Sequence, residues 1–176
     1  MHHLEQGEIV AYPTEGLYGL GCNPYDVQAV LRLVALKQRS LSQGLVLIAS
    51  QYDQFTSLLA SLPKKQAAHV QASWPGPFTW VWPCAPGAPN WLTGGRDSLA
   101  IRVTAHPIAA ALCRLFGAPL VSTSANLSGH PPAHTALDVR RIFGEEIDYI
   151  VHGELSGAVH ATQICDARTG QVLRRG

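Results

Sequence analysis

The chain has 176 residues, of which 47% are hydrophobic and 14% are charged, and its formal net charge at pH 7 is +1. This composition predicts one globular domain over residues 1–176 and excludes a disordered chain. No apolar run approaches the ~20 residues that cross a bilayer, and the first residues lack a secretory signal, so we expect a cytoplasmic protein without membrane association. The near-neutral charge argues against a protein that mainly grips long nucleic acid.

The first half of the chain predicts strands alternating with helices. Residues Glu8–Tyr12 predict a strand that Pro13 stops, and Asn23 with Pro24 should cap and begin a helix. That helix carries apolar residues at i, i+3, i+4 and i+7 from Val27. The next predicted elements are a buried strand at Leu45–Ile48 and helical segments near Gln54–Leu59 and Lys64–Ala72.

The second half is richer in strands. A helix should begin at His106-Pro107 and end near Gly117, and Thr135 with Asp138 predicts a capping box for a helix to Phe143. The predicted strands are Phe78–Trp82, Leu99–Val103, Leu120–Ser122, Ile147–His152, Gln163–Asp166 and Gln171–Arg174. Strands mixed with helices and hairpin-like connections indicate an α/β fold with a sheet of mixed direction.

The cysteines and histidines do not predict a metal centre. The four cysteines form no Cys-x-x-Cys pair and predict reduced, mostly buried thiols: Cys22, Cys84, Cys113 and Cys165. His130 and His134 are four residues apart, but Pro131 and Pro132 prevent a helix from aligning them, so we expect both on the surface.

The segment Ser122–Asn126 packs three hydroxyls and one amide into five residues at the expected end of a buried strand. Such groups bind phosphate oxygens, a ribose or an amino-acid carboxylate through short hydrogen bonds without adding charge. A Ser/Asn-rich turn explains the same composition, and the segment alone leaves both interpretations open.

The segment Tyr12–Gly21 is a second candidate. Thr14 and Glu15 follow a predicted strand, where open α/β sheets place ligands, and the glycines after them allow the backbone to approach a ligand closely. Glu15 is a candidate general base, although one carboxylate does not establish that role. A Gly-rich turn between two strands is the competing interpretation.

Three cations complete the candidate chemistry. Lys37 and Arg39 lie at the expected C-terminal end of a helix, where they would complement its dipole or contact phosphates. Arg102 lies on an otherwise apolar strand, so it needs either an acidic partner or an anionic ligand. Hydroxyls, cations and glycines without an obvious nucleophile or metal cluster suit an enzyme that positions an anionic substrate, as nucleotidyl transfer requires.

These segments resemble the YrdC family, and more narrowly its short bacterial form. The K-x-R and S-x-N signature of that family falls on Lys37, Arg39, Ser124 and Asn126. The further matching segments are Tyr12–Glu15, Tyr18–Gly21, Ser73–Pro77, Ser98–Arg102, Ser122–Gly129 and Leu173–Gly176. The resemblance implies a YrdC-like domain with a twisted mixed sheet, flanking helices and a concave ligand-binding face.

The resemblance also implies an activity. An enzyme of this type joins L-threonine, bicarbonate and ATP into L-threonylcarbamoyladenylate and releases diphosphate, with Mg2+ expected to accompany the nucleotide. Its product would pass to the bacterial threonylcarbamoyl-transferase complex for the t6A modification of tRNA. A weak contact with tRNA or other RNA is included in this expectation.

Residue roles follow from the same resemblance. The positions that match threonine contacts are Thr14, Arg102, Ser122 and Thr162. The positions that match ATP contacts are Lys37, Arg39, Ser98, Ser124, Asn126, Pro132 and Arg174, and we expect Lys37 and Arg39 to act catalytically by offsetting charge on the departing diphosphate. Two positions depart from the family pattern: Gln43, where a lysine is frequent, and Thr162, where a serine is usual.

An alternative of another class is an RNA-binding or ribosome-maturation factor without catalytic activity, because members of the family have been described in that way. The near-neutral charge and the lack of interleaved basic and aromatic stretches argue against it.

Overall fold

The computed structural model describes residues 2–157 and 162–175. Ala161 and Gly176, together with His160, lie outside these ranges, so the predicted last residue of the Leu173–Gly176 motif is not described. The strands are β1 Val10–Pro13, β2 Tyr18–Cys22, β3 Val46–Ala49, β4 Phe78–Pro83, β5 Ser98–Val103, β6 Leu120–Ser124, β7 Tyr149–Ile150, β8 Gln163–Asp166 and β9 Val172–Arg174. The α-helices are α1 His2–Glu5, α2 Val27–Leu36, α3 Lys64–Ala72, α4 Asn90–Thr93, α5 Pro107–Phe116 and α6 Ala136–Phe143, and 3-10 turns cover Leu41–Gln43, Tyr52–Leu58 and Gly144–Glu146.

The strands form one nine-stranded sheet in the order β7-β1-β2-β6-β3-β5-β4-β8-β9. The pairs β1–β7, β3–β5 and β4–β8 are parallel, and the other neighbours are antiparallel. The predicted α/β fold with a sheet of mixed direction is therefore confirmed. Among the described residues, none of the helices combines the length and the apolarity that crossing a membrane requires.

The two faces of the sheet differ because neighbouring residues of a strand point to opposite sides. Leu47, Ile101 and Val121 belong to the main hydrophobic core, in which α2 and α6 are also buried. Ile48 and Leu120, on the same strands, belong to a smaller cluster with residues of α5. This second cluster covers only part of its face, and the functional cavity lies on the rest of it.

Strand β2 is absent from the sequence prediction, which placed a turn there. All five of its residues are buried, and it lies between β1 and β6. A Cβ atom at Gly21 would lie 2.6 Å from the Val121 carbonyl oxygen and 2.8 Å from the Tyr12 hydroxyl, so only glycine fits there. Gly21 thus serves close packing inside the sheet. Pro13 is the last residue of β1, whereas the sequence predicted that the strand ends at Tyr12.

The start of α2 differs from the prediction in its capping residue. Asp26 caps the helix, because its Oδ1 accepts from the backbone N–H groups of Gln28 at 2.9 Å and Ala29 at 3.2 Å. Asn23 instead accepts from the N–H of Tyr25 in the preceding turn. The predicted starts of α5 and α6 are confirmed, including the capping box of Thr135.

Several other boundaries shift by a residue or two. The predicted strand at Ile147–His152 is reduced to Tyr149–Ile150, and the strand predicted to end at Ser122 continues to Ser124. The four cysteines are free thiols, three of them buried and Cys84 half-buried, as predicted.

Candidate functional site

A cavity of about 750 Å³ opens on the sheet face opposite the main core. That volume is in the range of small-molecule sites. All the residues predicted for the site except Lys37 line it: Thr14, Arg39, Ser98, Arg102, Ser122, Ser124, Asn126, Pro132, Thr162 and Arg174. On β5 and β6 the residues that face the cavity are small or polar and their neighbours belong to the core, so the alternation of these two strands builds both core and site.

Arg102 has an acidic partner as well as a place in the cavity. Its Nη1 lies 3.1 Å from Glu15 Oε2, and both side chains are largely buried. Glu15 Oε1 accepts hydrogen bonds from Thr104 Oγ1 at 2.8 Å and from the Ala105 N–H at 3.1 Å. Burial alone would raise the pKa of Glu15, but the charge of Arg102 and these hydrogen bonds outweigh it and hold the pKa below its ordinary value. Glu15 is therefore an ionised partner of Arg102 and a poor general base near neutral pH.

Hydroxyl groups surround this ion pair. Thr14 Oγ1 donates to the Leu17 carbonyl at 2.6 Å, which shapes the turn that carries Glu15. Thr79 and Thr162 place their hydroxyl oxygens 3.1 Å apart. Because Trp80 pairs with Ile101 in antiparallel register, Thr79 lies beside Arg102. Thr79 was missed by the sequence analysis, since a threonine in an apolar strand gives no signal that separates it from the core.

Three arginines form a second group on the cavity wall: Arg39, Arg96 and Arg174. Arg39 Nη2 donates to the Gly44 carbonyl at 2.8 Å, and Arg174 Nη2 donates to the Thr162 carbonyl at 3.2 Å. The pKa of Arg39 is lowered, mainly by burial and to a smaller extent by the positive charges of Arg96 and Arg174. In the part of the chain that the structure describes, none of the three forms an ion pair with an acidic side chain. Such a group suits a polyanion.

Arg96 is the second residue that sequence reasoning missed. It is exposed in the loop before β5, and a charged loop residue is usually solvated. Its proximity to Arg39 comes from the fold, which brings the Gly44 backbone against it: a Cβ at Gly44 would lie 2.8 Å from Arg96 Nη1.

Lys37 has partners other than those the sequence analysis expected. The side chain is 4% exposed, and Nζ donates to the Ser124 carbonyl, to the Asn126 carbonyl at 2.7 Å and to Asn126 Oδ1 at 3.1 Å. Asn126 Oδ1 also accepts from Ser124 Oγ at 2.6 Å. Burial and then the charge of Arg39 lower the pKa of Lys37 to about 8. Lys37 thus fixes the Ser124–Asn126 turn from behind the cavity wall.

The described residues contain no group of three or more His, Cys, Asp or Glu side chains that could hold a metal ion. His130 and His134 are both exposed, and His134 lies at the cavity.

Fold and cavity together define an α/β protein with a cavity of the size of a small-molecule site. Arg102 in this cavity is neutralised by Glu15, whereas Arg39, Arg96 and Arg174 have no acidic partner among the described residues. Comparison with known proteins agrees with this description. A family model covering Sua5, YciO and YrdC, described as "Telomere recombination", matches residues 2–176. The chain belongs to this family, and the resemblance noted in its motifs is confirmed.

Curated relatives of high identity carry the name of an enzyme, threonylcarbamoyl-AMP synthase. The protein of this name from Halorhodospira halophila is 56% identical over 172 residues, which cover 98% of this chain and 90% of the relative. The one from Vibrio parahaemolyticus is 46% identical over 178 residues, covering 100% of this chain and 96% of the relative.

Solved structures give the same result for the fold. P. abyssi Sua5 in a H234A/Y235A variant matches with a TM-score of 0.92 at 32% identity, and the match covers 98% of this chain and 54% of that one. P. abyssi Sua5 complexed with L-threonine matches with a TM-score of 0.87 at 33% identity over 94% of this chain and 48% of that one. This chain therefore spans about half the length of Sua5. E. coli YciO, at 24% identity and a TM-score of 0.86 over 99% of this chain and 86% of that one, shares the fold.

Proposed function

We propose that this protein forms L-threonylcarbamoyladenylate and diphosphate from L-threonine, bicarbonate and ATP, as a nucleotidyltransferase. The ammonium group of threonine first loses a proton to solvent, and the resulting amine combines with bicarbonate to form a carbamate with loss of water. A carbamate oxygen then attacks the α-phosphorus of ATP, and the bond from that phosphorus to the bridging oxygen of the diphosphate breaks. The described residues supply no nucleophile of their own to this scheme, so the protein acts by positioning and by electrostatic stabilisation.

The observation that carries this proposal is the division of charge inside the cavity. Ile48, which pairs with Arg102 on the neighbouring strand, and Gly44, whose carbonyl accepts from Arg39, are four residues apart along the chain, so the two arginines lie at different parts of the cavity lining. This spacing accommodates a small amino acid beside Arg102 and the phosphates of a nucleotide beside Arg39. The names of the relatives and the threonine complex of Sua5 support the same pair of substrates.

On the amino-acid side, Arg102 binds the threonine carboxylate. Ser122, Thr14 and Thr162 line the cavity around it and offer hydroxyls to the substrate. A guanidinium suits a carboxylate because its donors are planar and paired. This assignment gives Arg102, a charged residue on an apolar strand, a role beyond its ion pair with Glu15.

On the nucleotide side, Arg39, Arg96 and Arg174 bind the phosphates and stabilise the departing diphosphate. Ser98, Ser124, Asn126 and Pro132 line the remainder of the nucleotide site. Lys37 is a positioning residue in this scheme, because all three protons of its ammonium group are directed at the Ser124–Asn126 turn.

Mg2+ enters this proposal with the nucleotide. The carboxylate of Glu15 is paired with Arg102, and the described cavity residues near Arg39 offer hydroxyl and amide groups rather than carboxylates. Mg2+ commonly keeps several waters and binds through substrate phosphates, so the ion would arrive as the ATP complex.

Two partner assignments extend the proposal. The adenylate product is a reactive mixed anhydride that passes to the bacterial threonylcarbamoyl-transferase complex for t6A modification of tRNA. Weak contact with tRNA or other RNA would accompany that transfer, consistent with a chain whose formal net charge is only +1.

The test is to incubate the protein with ATP, bicarbonate and each amino acid in turn and to follow diphosphate. We expect release that depends on both threonine and bicarbonate, strong loss in Arg39→Ala, and no change in the matched Arg114→Ala, since Arg114 lies exposed on α5. Release that is independent of threonine would contradict the proposal. Tight RNA binding with a steep salt dependence and no ATP binding would instead favour the RNA-binding alternative.

A further inference from the structure

Glu15 has a place in the cavity that the proposed reaction leaves unexplained. It lines the same cavity as Arg102, and its side chain is 12% exposed. No group of the proposed substrates has yet been assigned to its negative charge. An acidic residue beside the arginine that binds a carboxylate weakens that arginine's attraction for a simple anion.

The hydrogen bonds of Glu15 use only one of its two carboxylate oxygens. Oε1 accepts from Thr104 and Ala105, whereas Oε2 accepts no hydrogen bond from the described residues although it lies 3.1 Å from Arg102 Nη1. On the arginine side, Nε also lacks a hydrogen-bond partner among the described residues. Both atoms are buried and their hydrogen-bonding capacity is unused among the described residues, whereas buried polar atoms are usually satisfied by a partner.

The net charge of the pair limits which ligand can satisfy it. A carboxylate alone would add one negative charge beside Glu15, and an amine alone would add one positive charge beside Arg102. A zwitterion places a negative group on the guanidinium and a positive group on the carboxylate, and it leaves the net charge of this part of the cavity at zero.

We propose that Glu15 and Arg102 together select a zwitterionic α-amino acid, with Arg102 binding the carboxylate and Glu15 supplying the counter-charge for the ammonium group. This inference rests on the proposed function, since it specifies how threonine is recognised. Glu15 is then a specificity-determining residue, and it acts on binding before any bond is made or broken.

The experiment compares three ligands that differ in which of the two charged groups they carry. L-threonine carries both groups, (R)-3-hydroxybutyrate lacks the amine, and L-threoninol lacks the carboxylate. Affinities are measured by NMR titration up to tens of millimolar, with wild type, Glu15→Gln and Arg102→Gln, and with Glu145→Gln as the matched control because Glu145 is exposed and pairs with Arg140 away from the cavity lining. The control should bind all three ligands as wild type does.

We expect Glu15→Gln to weaken binding of L-threonine and L-threoninol by about tenfold or more, the usual size for a lost contact with a charged group. The same variant should bind (R)-3-hydroxybutyrate as well as, or better than, wild type, because a repulsive charge is removed. Arg102→Gln should show the opposite pattern, with the hydroxybutyrate affected and threoninol spared.

A Glu15 that merely holds Arg102 in position would give a different result, since Glu15→Gln would then weaken the hydroxybutyrate as much as threonine. That result, or no effect on either ligand, overturns the inference. Wild type supplies a second measurement that needs no variant: threonine must bind at least tenfold more tightly than (R)-3-hydroxybutyrate. If wild type binds no threonine at all, with or without ATP, the proposed function itself fails, which is a distinguishable outcome.

Discussion

The two parts of the cavity treat positive charge in opposite ways. Arg102 is 7% exposed, lies on a central strand and is matched by Glu15, whereas Arg96 and Arg174 are exposed and join Arg39 without an acidic partner among the described residues. The first arrangement suits a ligand group of zero net charge in a fixed orientation. The second suits a group of high negative charge that can be held by several flexible donors. Charge balance, rather than residue type, therefore separates the two subsites.

Among substitutions that remove this difference between the two parts of the cavity, we expect the largest effect at Arg102. Arg102→Met leaves the Glu15 carboxylate largely buried without its counter-charge and should lower the free energy of unfolding by about 2–3 kcal/mol. This is less than the ~3–5 kcal/mol of a fully buried pair, because water in the cavity screens it. Threonine affinity should fall by ~100-fold or more.

Urea denaturation of Arg102→Met and of the double variant Arg102→Met with Glu15→Gln tests the origin of this loss. The double variant should regain most of the stability of wild type, because no unpaired charge remains. A double variant as unstable as the single one would show that packing of the arginine stem, and not the charge pair, accounts for the loss.

The second prediction concerns Lys37 and pH. Deprotonation of Lys37 near its pKa of about 8 removes one of the three protons that hold the Ser124–Asn126 turn. Diphosphate release should therefore fall on the alkaline side with a midpoint near pH 8, and Lys37→Met should release diphosphate slowly, about 100-fold below wild type, without that alkaline limb. An alkaline limb that persists unchanged in Lys37→Met would assign the titration to another group.

The same lowered pKa has the opposite effect on stability. The folded protein releases the Lys37 proton more readily than the unfolded chain, whose lysine keeps the ordinary value of 10.5. The charged, buried lysine therefore costs stability below pH 8, and this cost disappears as the pH rises from about 8 to 10.5. Comparing unfolding of wild type and Lys37→Met over this window should reveal the difference, with wild type gaining on the variant as the pH rises.

The third prediction concerns Arg96, one of the three arginines that lack an acidic partner among the described residues. Arg96→Ala should raise the KM for ATP about tenfold, the lower end for a lost contact with a charged group, because Arg96 is exposed. The KM for threonine should not change. Raising the salt concentration should shrink the difference between Arg96→Ala and wild type, since exposed charges are screened. Equal effects on both substrates would argue against two subsites.

The smallest effect is expected at the Thr79–Thr162 contact. Thr162→Ala removes one hydroxyl at 3.1 Å from Thr79 and one donor to the substrate, and it should raise the KM for threonine roughly fivefold, as expected for ~1 kcal/mol. Thr162→Ser keeps the hydroxyl and serves as the control. A tenfold or larger change in Thr162→Ser would point to the methyl group instead.

Much of the site could be predicted because its residues contradict their surroundings. An arginine on an apolar strand and a run of hydroxyls at a strand end both conflict with simple burial, and Arg102 and Ser122–Asn126 do lie at the cavity. Arg96 and Thr79 carry no such conflict, since one is an ordinary loop charge and the other an ordinary strand residue. Their places depend on which chain segments meet in the fold, which spacing along one chain does not reveal.

The fold shows the same limit. Apolar periodicity predicted α2, and capping residues predicted α5 and α6, because those signals are local. Strand β2 gave no local signal, since its Gly21 is required by contacts with Val121 and Tyr12, which are residues of neighbouring strands. The charge of Lys37 left a helix-dipole role and a phosphate contact both open, and the family signature assigned it to the phosphates. Its three acceptors in the Ser124–Asn126 turn depend on the fold and give no signal in the sequence.

The alternation of the central strands has a practical consequence for changing this protein. On β3, Leu47 belongs to the main core whereas Val46 lines the cavity one peptide away, and on β5 the same holds for Ile101 and Ala100. Substitutions one position apart should thus alter either thermal tolerance or ligand preference while leaving the other property nearly intact. A library restricted to cavity-side positions outside the Arg102–Glu15 pair and the second core cluster, such as Val46 and Ala100, would explore new substrates with little risk to folding.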